Sequence, residues 1–235
     1  MAAPAAASTS LRVRAYESFQ RQIIDAGIRP GQFISQRELV QLLGMPLGAV
    51  RELIPRLEAE GLLRTVPQRG LQIAHVDLPL INNAFQLRTV LEREAVARFC
   101  RSVSDADLAA IEDAHLRIVK RARKGPIDAT LLRDAQSVDW GLHDLMIDAL
   151  GNTLISETYR VNSLRLRLIW LDRTTLSEDT LPNAMQEHLW FIDALKRRDE
   201  TESVRRLMHH LECARKSVLG LPRSALTDAD AEAVR

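Results

Sequence analysis

The placement of glycine and proline between residues 11 and 76 constrains this chain more than any other feature. Leu11 to Ala26 sets Val13, Tyr16, Phe19, Ile23 and Ile24 on a helical stripe, which Gly27 and the turn Arg29-Pro30-Gly31 bring to an end. Ser35 is placed to cap a second helix, Gln36 to Leu43, which breaks at Gly44. A third helix runs from about Pro46 to Glu60 and stops at Gly61. Two short β-type runs follow, Leu62–Val66 and Leu71–Ala74, flanking the turn Pro67-Gln68-Arg69-Gly70. Three helices and a hairpin outline a winged helix-turn-helix over residues 11–76. After Asp77-Leu78-Pro79 every segment carries helical patterning, with breaks at Ser102–Ser104, Gly125-Pro126, Gly151-Asn152, Thr174–Ser177 and near Asp199. Six helices of that length predict an antiparallel bundle over residues 77–220. The fold class is therefore mainly α. Residues 1–10 and 221–235 read as disordered tails.

Charge separates the two halves. Residues 1–75 hold nine arginines, no lysine and six acids, a balance of +3, whereas residues 76–235 sum to −2. A mildly basic first third suits contact with phosphate. No apolar run is long enough to span a bilayer, so no membrane partner is expected. The opening MAAPAAASTS lacks the basic and apolar regions of a secretion signal. Cys100 and Cys213 fall in apolar-patterned helices and read as buried, reduced thiols of a cytoplasmic protein.

A helix-turn-helix works by bracing one short helix on the DNA backbone and laying the next in the major groove. Arginine suits both tasks, because its fork pairs with phosphate or with guanine edges. Arg37 lies on the first of these helices, Arg51 on the second, and Arg69-Gly70 at the wing tip. The runs Gly27-Ile28-Arg29-Pro30-Gly31, Arg37-Glu38-Leu39, Val50-Arg51-Glu52 and Arg56–Leu62 resemble the DNA-binding domain of GntR-type regulators. That resemblance implies contact with double-stranded operator DNA through Arg37, Arg51 and the wing at Arg69 and Gly70. Where the family has a Ser-Arg-Thr-Pro-like run, this chain has Pro46-Leu47-Gly48-Ala49, so the operator sequence does not transfer from relatives. Pro55 removes a donor and should kink the helix near Arg51.

In the helical half, Asp139 and His143 are four apart and share a face, while His188 and His210 lie on successive helices. If those helices pair antiparallel about Asp199, three imidazoles and a carboxylate converge, a set suited to zinc, nickel or another divalent transition metal. His75, His115 and His209 are set aside. The pieces Leu87–Glu92, Asp139–His143, Gly151-Asn152, Glu187-His188, Ala194-Leu195 and His210-Leu211 resemble the helical FCD ligand-binding domain of the FadR-like branch of the same family. The resemblance implies that Asp139, His143, His188 and His210 bind the metal, and that a small organic acid completes its coordination. Arg88 is the first candidate to pair with that acid and Arg165 the second, each with an ordinary salt bridge as its alternative. Asn152 reads as a helix start. The whole predicts a homodimeric, metabolite-responsive repressor and not an enzyme. The alternatives are a metal-dependent hydrolase built on the bundle and a regulator whose metal is purely structural.

Overall fold

The computed structural model describes residues 4–173 and 180–222, with side chains from Leu11 onward. Nine helices and three strands occur among the described residues. The expected break at Thr174–Ser177, and the expected tail from Arg223 on, lie outside the described residues.

The chain divides into two compact units, one of residues 1–84 with 160–173 and one of residues 85–159 with 174–235. In the first unit, α1 (Pro4–Ile24) starts well before Leu11. Proline in a first turn followed by three alanines favours helix, so residues 4–10 are helical where a tail was expected, and residues 1–3 lie outside the described residues. Ala15, Tyr16, Phe19 and Ile23 form its buried face, while Val13 and Ile24 are about half exposed. Both lie about 100° round the axis from that face. The Tyr16 hydroxyl donates to the Glu60 carboxylate at 2.8 Å, and the Arg56 guanidinium sits 3.5 Å from the Tyr16 ring centre. These contacts fasten α1 to the residues that end the third helix.

Helix α2 (Gln36–Leu43) opens with a complete capping box, Ser35 and Glu38 exchanging side chain and backbone bonds, and closes on Gly44 at φ 62°. Helix α3 (Leu47–Ala59) continues through Pro55 without interruption. Strands β2 (Leu63–Val66) and β3 (Gly70–Ile73) form the predicted hairpin. A two-residue strand β1 (Phe33–Ile34) pairs antiparallel with β3, giving the order β1-β3-β2. Two residues carry no periodicity, so β1 is invisible to pattern reading.

The core of this unit joins Phe19, Ile23, Leu39, Val50, Leu53, Leu57, Leu71 and Ile73 with Leu164 and Leu168. The last two belong to helix α7 (Thr153–Arg173), whose residues from 160 on fall in the first unit.

Helices α4 (Leu78–Ser102), α5 (Asp105–Lys124), α6 (Ala129–Asp148), α7, α8 (Leu181–Lys196) and α9 (Glu200–Val218) supply the six expected in the helical half. Ser104, Asp128 and Asp199 cap α5, α6 and α9 by accepting from backbone N–H groups three residues on. Asn152 Oδ1 accepts from the backbone of Leu154 and Ile155, so it starts α7 as read. The second unit is built on Val96, Phe99, Leu142, Met146, Tyr159, Phe191, Leu195, Leu207 and Leu211. No helix among the described residues is long and apolar enough to cross a membrane.

Candidate metal centre and DNA-facing surface

Helices α6, α8 and α9 bring Asp139, His143, His188 and His210 together, with one donor atom of each within 4.8 Å of all the others. His188 Nε2 lies 3.2 Å from His210 Nε2 and 3.3 Å from Asp139 Oδ1. The edge of a tetrahedron of zinc–nitrogen bonds is roughly 3.3 Å. All three imidazoles are buried, while Asp139 keeps slight exposure.

What surrounds the histidines decides their tautomers. His143 Nδ1 donates to Glu92 Oε2 at 2.7 Å, and His210 Nδ1 donates to Glu187 Oε2 at 2.9 Å. His115 Nδ1 lies 2.8 Å from the Ile111 carbonyl, which can only accept, so His115 Nε2 is bare when the ring is neutral. His188 Nδ1, 3.0 Å from that nitrogen, must then be the donor. Each of the three candidate histidines, when neutral, thus has its proton on Nδ1 and a lone pair on Nε2. His143 Nε2 is buried with no hydrogen-bond partner at all. Two lone pairs at 3.2 Å repel unless a cation lies between them, so the donor set fits a divalent metal. Burial holds His188 far below the ordinary imidazole pKa, helped by His210, His115 and His143 nearby. Burial also lowers His143 and His115, against the opposing pull of Glu92 and Asp139. Neutral rings are what a metal requires.

Carboxylates acting through ligand histidines are the usual outer layer of such a centre. Here Glu92 and Glu187 would fill that role for His143 and His210, and His115 would do the same for His188. His115, set aside on sequence grounds, is therefore part of the site. Its distance along the chain from the ligands gave no signal. Glu92 did leave one, since it stands four residues from Arg88 on α4.

Arg88 is buried, and its Nε donates to Glu92 Oε1 at 2.6 Å, where the Tyr159 hydroxyl also donates at 2.6 Å. Burial alone would raise the Glu92 carboxyl, but Arg88, His143 and Tyr159 together hold it well below the usual range. The Arg88 Nη2 is buried without a partner. Arg165 is not brought to this cluster. Its Nε and Nη2 donate to the Glu60 carbonyl at 3.2 and 2.7 Å, closing the end of α3 inside the first unit. The effector role expected of it gives way to that of a helix cap. Between α5 and α6 a cleft of about 690 Å³, walled by Ile111, Val138, Leu142 and Leu145, reaches His115.

In the first unit, Arg37 and Arg51 are exposed, and Arg51 Nε reaches Gln36 Oε1 at 3.4 Å. Arg69 lies over the Phe33 ring at 4.1 Å. Gly70 has φ 91°, and a Cβ there would meet the Ile34 carbonyl at 3.1 Å, so the wing needs glycine for backbone reasons. Leu47, opening α3, is 42% exposed, and its side chain has no hydrogen-bonding group.

Two family models match: the bacterial regulatory proteins of the gntR family over residues 11–73, and the FCD domain over residues 83–212. The Nta operon transcriptional regulator of Aminobacter aminovorans is 26% identical over 203 residues, covering 85% of this chain and 90% of that protein. The HTH-type transcriptional repressor RspR of Escherichia coli is 24% identical, with 86% of each chain covered. Among solved structures, McbR/YncC of E. coli superposes with a TM-score of 0.75 at 17% identity, over 89% of this chain and 97% of that one. A regulator from Rhodococcus sp. RHA1 gives 0.73 at 20% identity, over 91% and 100%. The matched families are regulatory and not enzymatic, which removes the hydrolase alternative. A winged helix with exposed arginines, followed by a helical domain of this pattern, makes the chain a DNA-binding transcriptional regulator of the GntR family with an FCD domain.

Proposed function

We propose that this regulator is a cytoplasmic homodimeric repressor whose hold on its operator is modulated by a small organic acid bound beside a metal ion. The observation that carries this reading is the convergence of Asp139 with three buried imidazoles, among which His143 Nε2 has no hydrogen-bond partner. Asp139, His143, His188 and His210 would hold the ion, with zinc or nickel best suited to three nitrogens and one oxygen. When bound, it supplies a Lewis-acid seat for a carboxylate. One carboxylate and three neutral imidazoles leave a divalent ion with net charge +1, which favours an anion. Arg88 supports the same choice, since its unpartnered Nη2 can donate to an acid while Nε stays on Glu92.

On the DNA side, Arg37, Arg51, Arg69 and Gly70 form the reading surface, α3 entering the major groove and the wing flanking it. Two copies would place two recognition helices on a nearly palindromic site. The acid acts by preferring one arrangement of the dimer, and shifts the equilibrium only by its difference in affinity.

The test is a thermal-shift screen of small organic acids on metal-loaded and metal-stripped protein, repeated on Arg88→Ala. Stabilisation seen only with metal and lost in Arg88→Ala is expected. A hit that ignores metal would overturn the metal-seated effector. No hit in either form would favour a purely structural ion. Arg51→Ala should weaken operator binding without changing the melting temperature, and unchanged affinity would remove Arg51 from the reading surface.

A further inference from the structure

A second group of donors lies on the other side of Glu187. His209 and Cys213 stand one turn apart on α9 and share a face, as Asp139 and His143 do on α6. Glu187 faces them from α8, and one donor atom from each of the three falls within 4.8 Å of the other two. His209 Nε2 lies 3.4 Å from Cys213 Sγ. With a zinc–sulfur bond near 2.3 Å and a zinc–nitrogen bond near 2.05 Å, a tetrahedral edge between those atoms is about 3.6 Å. Glu187 and Cys213 are buried and His209 is half-buried, so an ion would enter from the His209 side.

We infer that Glu187, His209 and Cys213 form a second cation site, for a thiophilic divalent ion such as zinc. Mixed sulfur, nitrogen and oxygen donors select zinc or cobalt over magnesium or calcium. Charge separates the two centres. A divalent ion held by one thiolate and one carboxylate is neutral overall, which a largely buried position demands. The first centre keeps a net positive charge and calls for an anion, whereas the second does not. Binding costs the Cys213 thiol its proton, which is released to solvent. Glu187 joins the sites, since one of its oxygens already accepts from His210 Nδ1.

Cobalt(II) separates the sites by colour, because only a thiolate ligand produces a sulfur-to-cobalt charge-transfer band in the near ultraviolet. The full chain, stripped by chelator and kept reduced, is titrated with cobalt(II), and equilibrium dialysis counts the bound ions. Expected are two equivalents and a charge-transfer band. Cys213→Ser should lose the band and one equivalent. His209→Gln should weaken the band, and Asp139→Ala should keep it. Saturation without a band overturns the site. So does a band that survives Cys213→Ser, which would move the thiolate to Cys100. A band lost equally in Asp139→Ala would show that the thiol belongs to the first centre, and also overturns the inference. Should Cys213→Ser fail to fold by circular dichroism, the half-buried His209→Gln decides alone: an unchanged band and stoichiometry there refute the site.

Discussion

Glu92 carries the heaviest duty of any single side chain in the helical unit. It is fully buried, and its two oxygens accept from Arg88, Tyr159 and His143. Replacing it with glutamine removes the charge but keeps the shape, leaving the Arg88 guanidinium buried without an ionic partner. Glu92→Gln should therefore cost about 3–5 kcal/mol of unfolding free energy, read from urea denaturation. A loss below about 1 kcal/mol would mean that another acid balances Arg88. His115 invites a subtler test. It accepts from His188 Nδ1, so His115→Leu leaves that proton unpaired and lets the ring turn. Metal affinity should fall roughly 10–100-fold while far-ultraviolet circular dichroism stays constant. Unchanged affinity in a metal titration would show that packing alone orients His188.

At the scale of elements, the recognition helix and the wing each contain a residue that the regular structure tolerates unevenly. Pro55 is exposed within α3 and denies that helix one backbone donor. The expected kink rests on the same missing bond, yet the helix holds because Leu53, Ile54 and Leu57 pin it to the core. Pro55→Ala should then raise stability, by about 1–3 kcal/mol, measured as an upward shift of the unfolding midpoint. A lower midpoint would show that the proline ring packs usefully. Gly70 is the opposite case. With φ at 91° and the Ile34 carbonyl 3.1 Å from any Cβ, Gly70→Ala should destabilise the first unit by at least about 1 kcal/mol. The helix starts at Ser35 and Asn152 were legible, because each residue caps within a few residues of itself. Strand β1 was not legible, since it exists only through its pairing with β3.

For the whole molecule, the proposed metal centre predicts that the helical unit's stability depends on a cation. Removing metal with a chelator should lower the melting temperature, and adding zinc or nickel back should restore it. An unchanged melting temperature would count against the centre in solution. The same comparison, made with Asp139→Ala, should show a clearly smaller response to both treatments. What the sequence determined unaided was local: helix periodicity, caps, the hairpin turn, and the pairing of Asp139 with His143 on one face. Each of these depends on residues fewer than five apart, where backbone geometry leaves little choice. Family resemblance then joined His188 and His210 to that pair. Only the tertiary structure decided the rest. It turned each Nε2 inward by fixing Nδ1 on Glu92, Glu187 or His115, partners drawn from other helices or, for Glu187, across the α8–α9 pair. It sent Arg165 to the Glu60 carbonyl and left Arg88 with a free nitrogen. A hydrogen bond is set by distance and direction in space, and a chain read along its length contains neither.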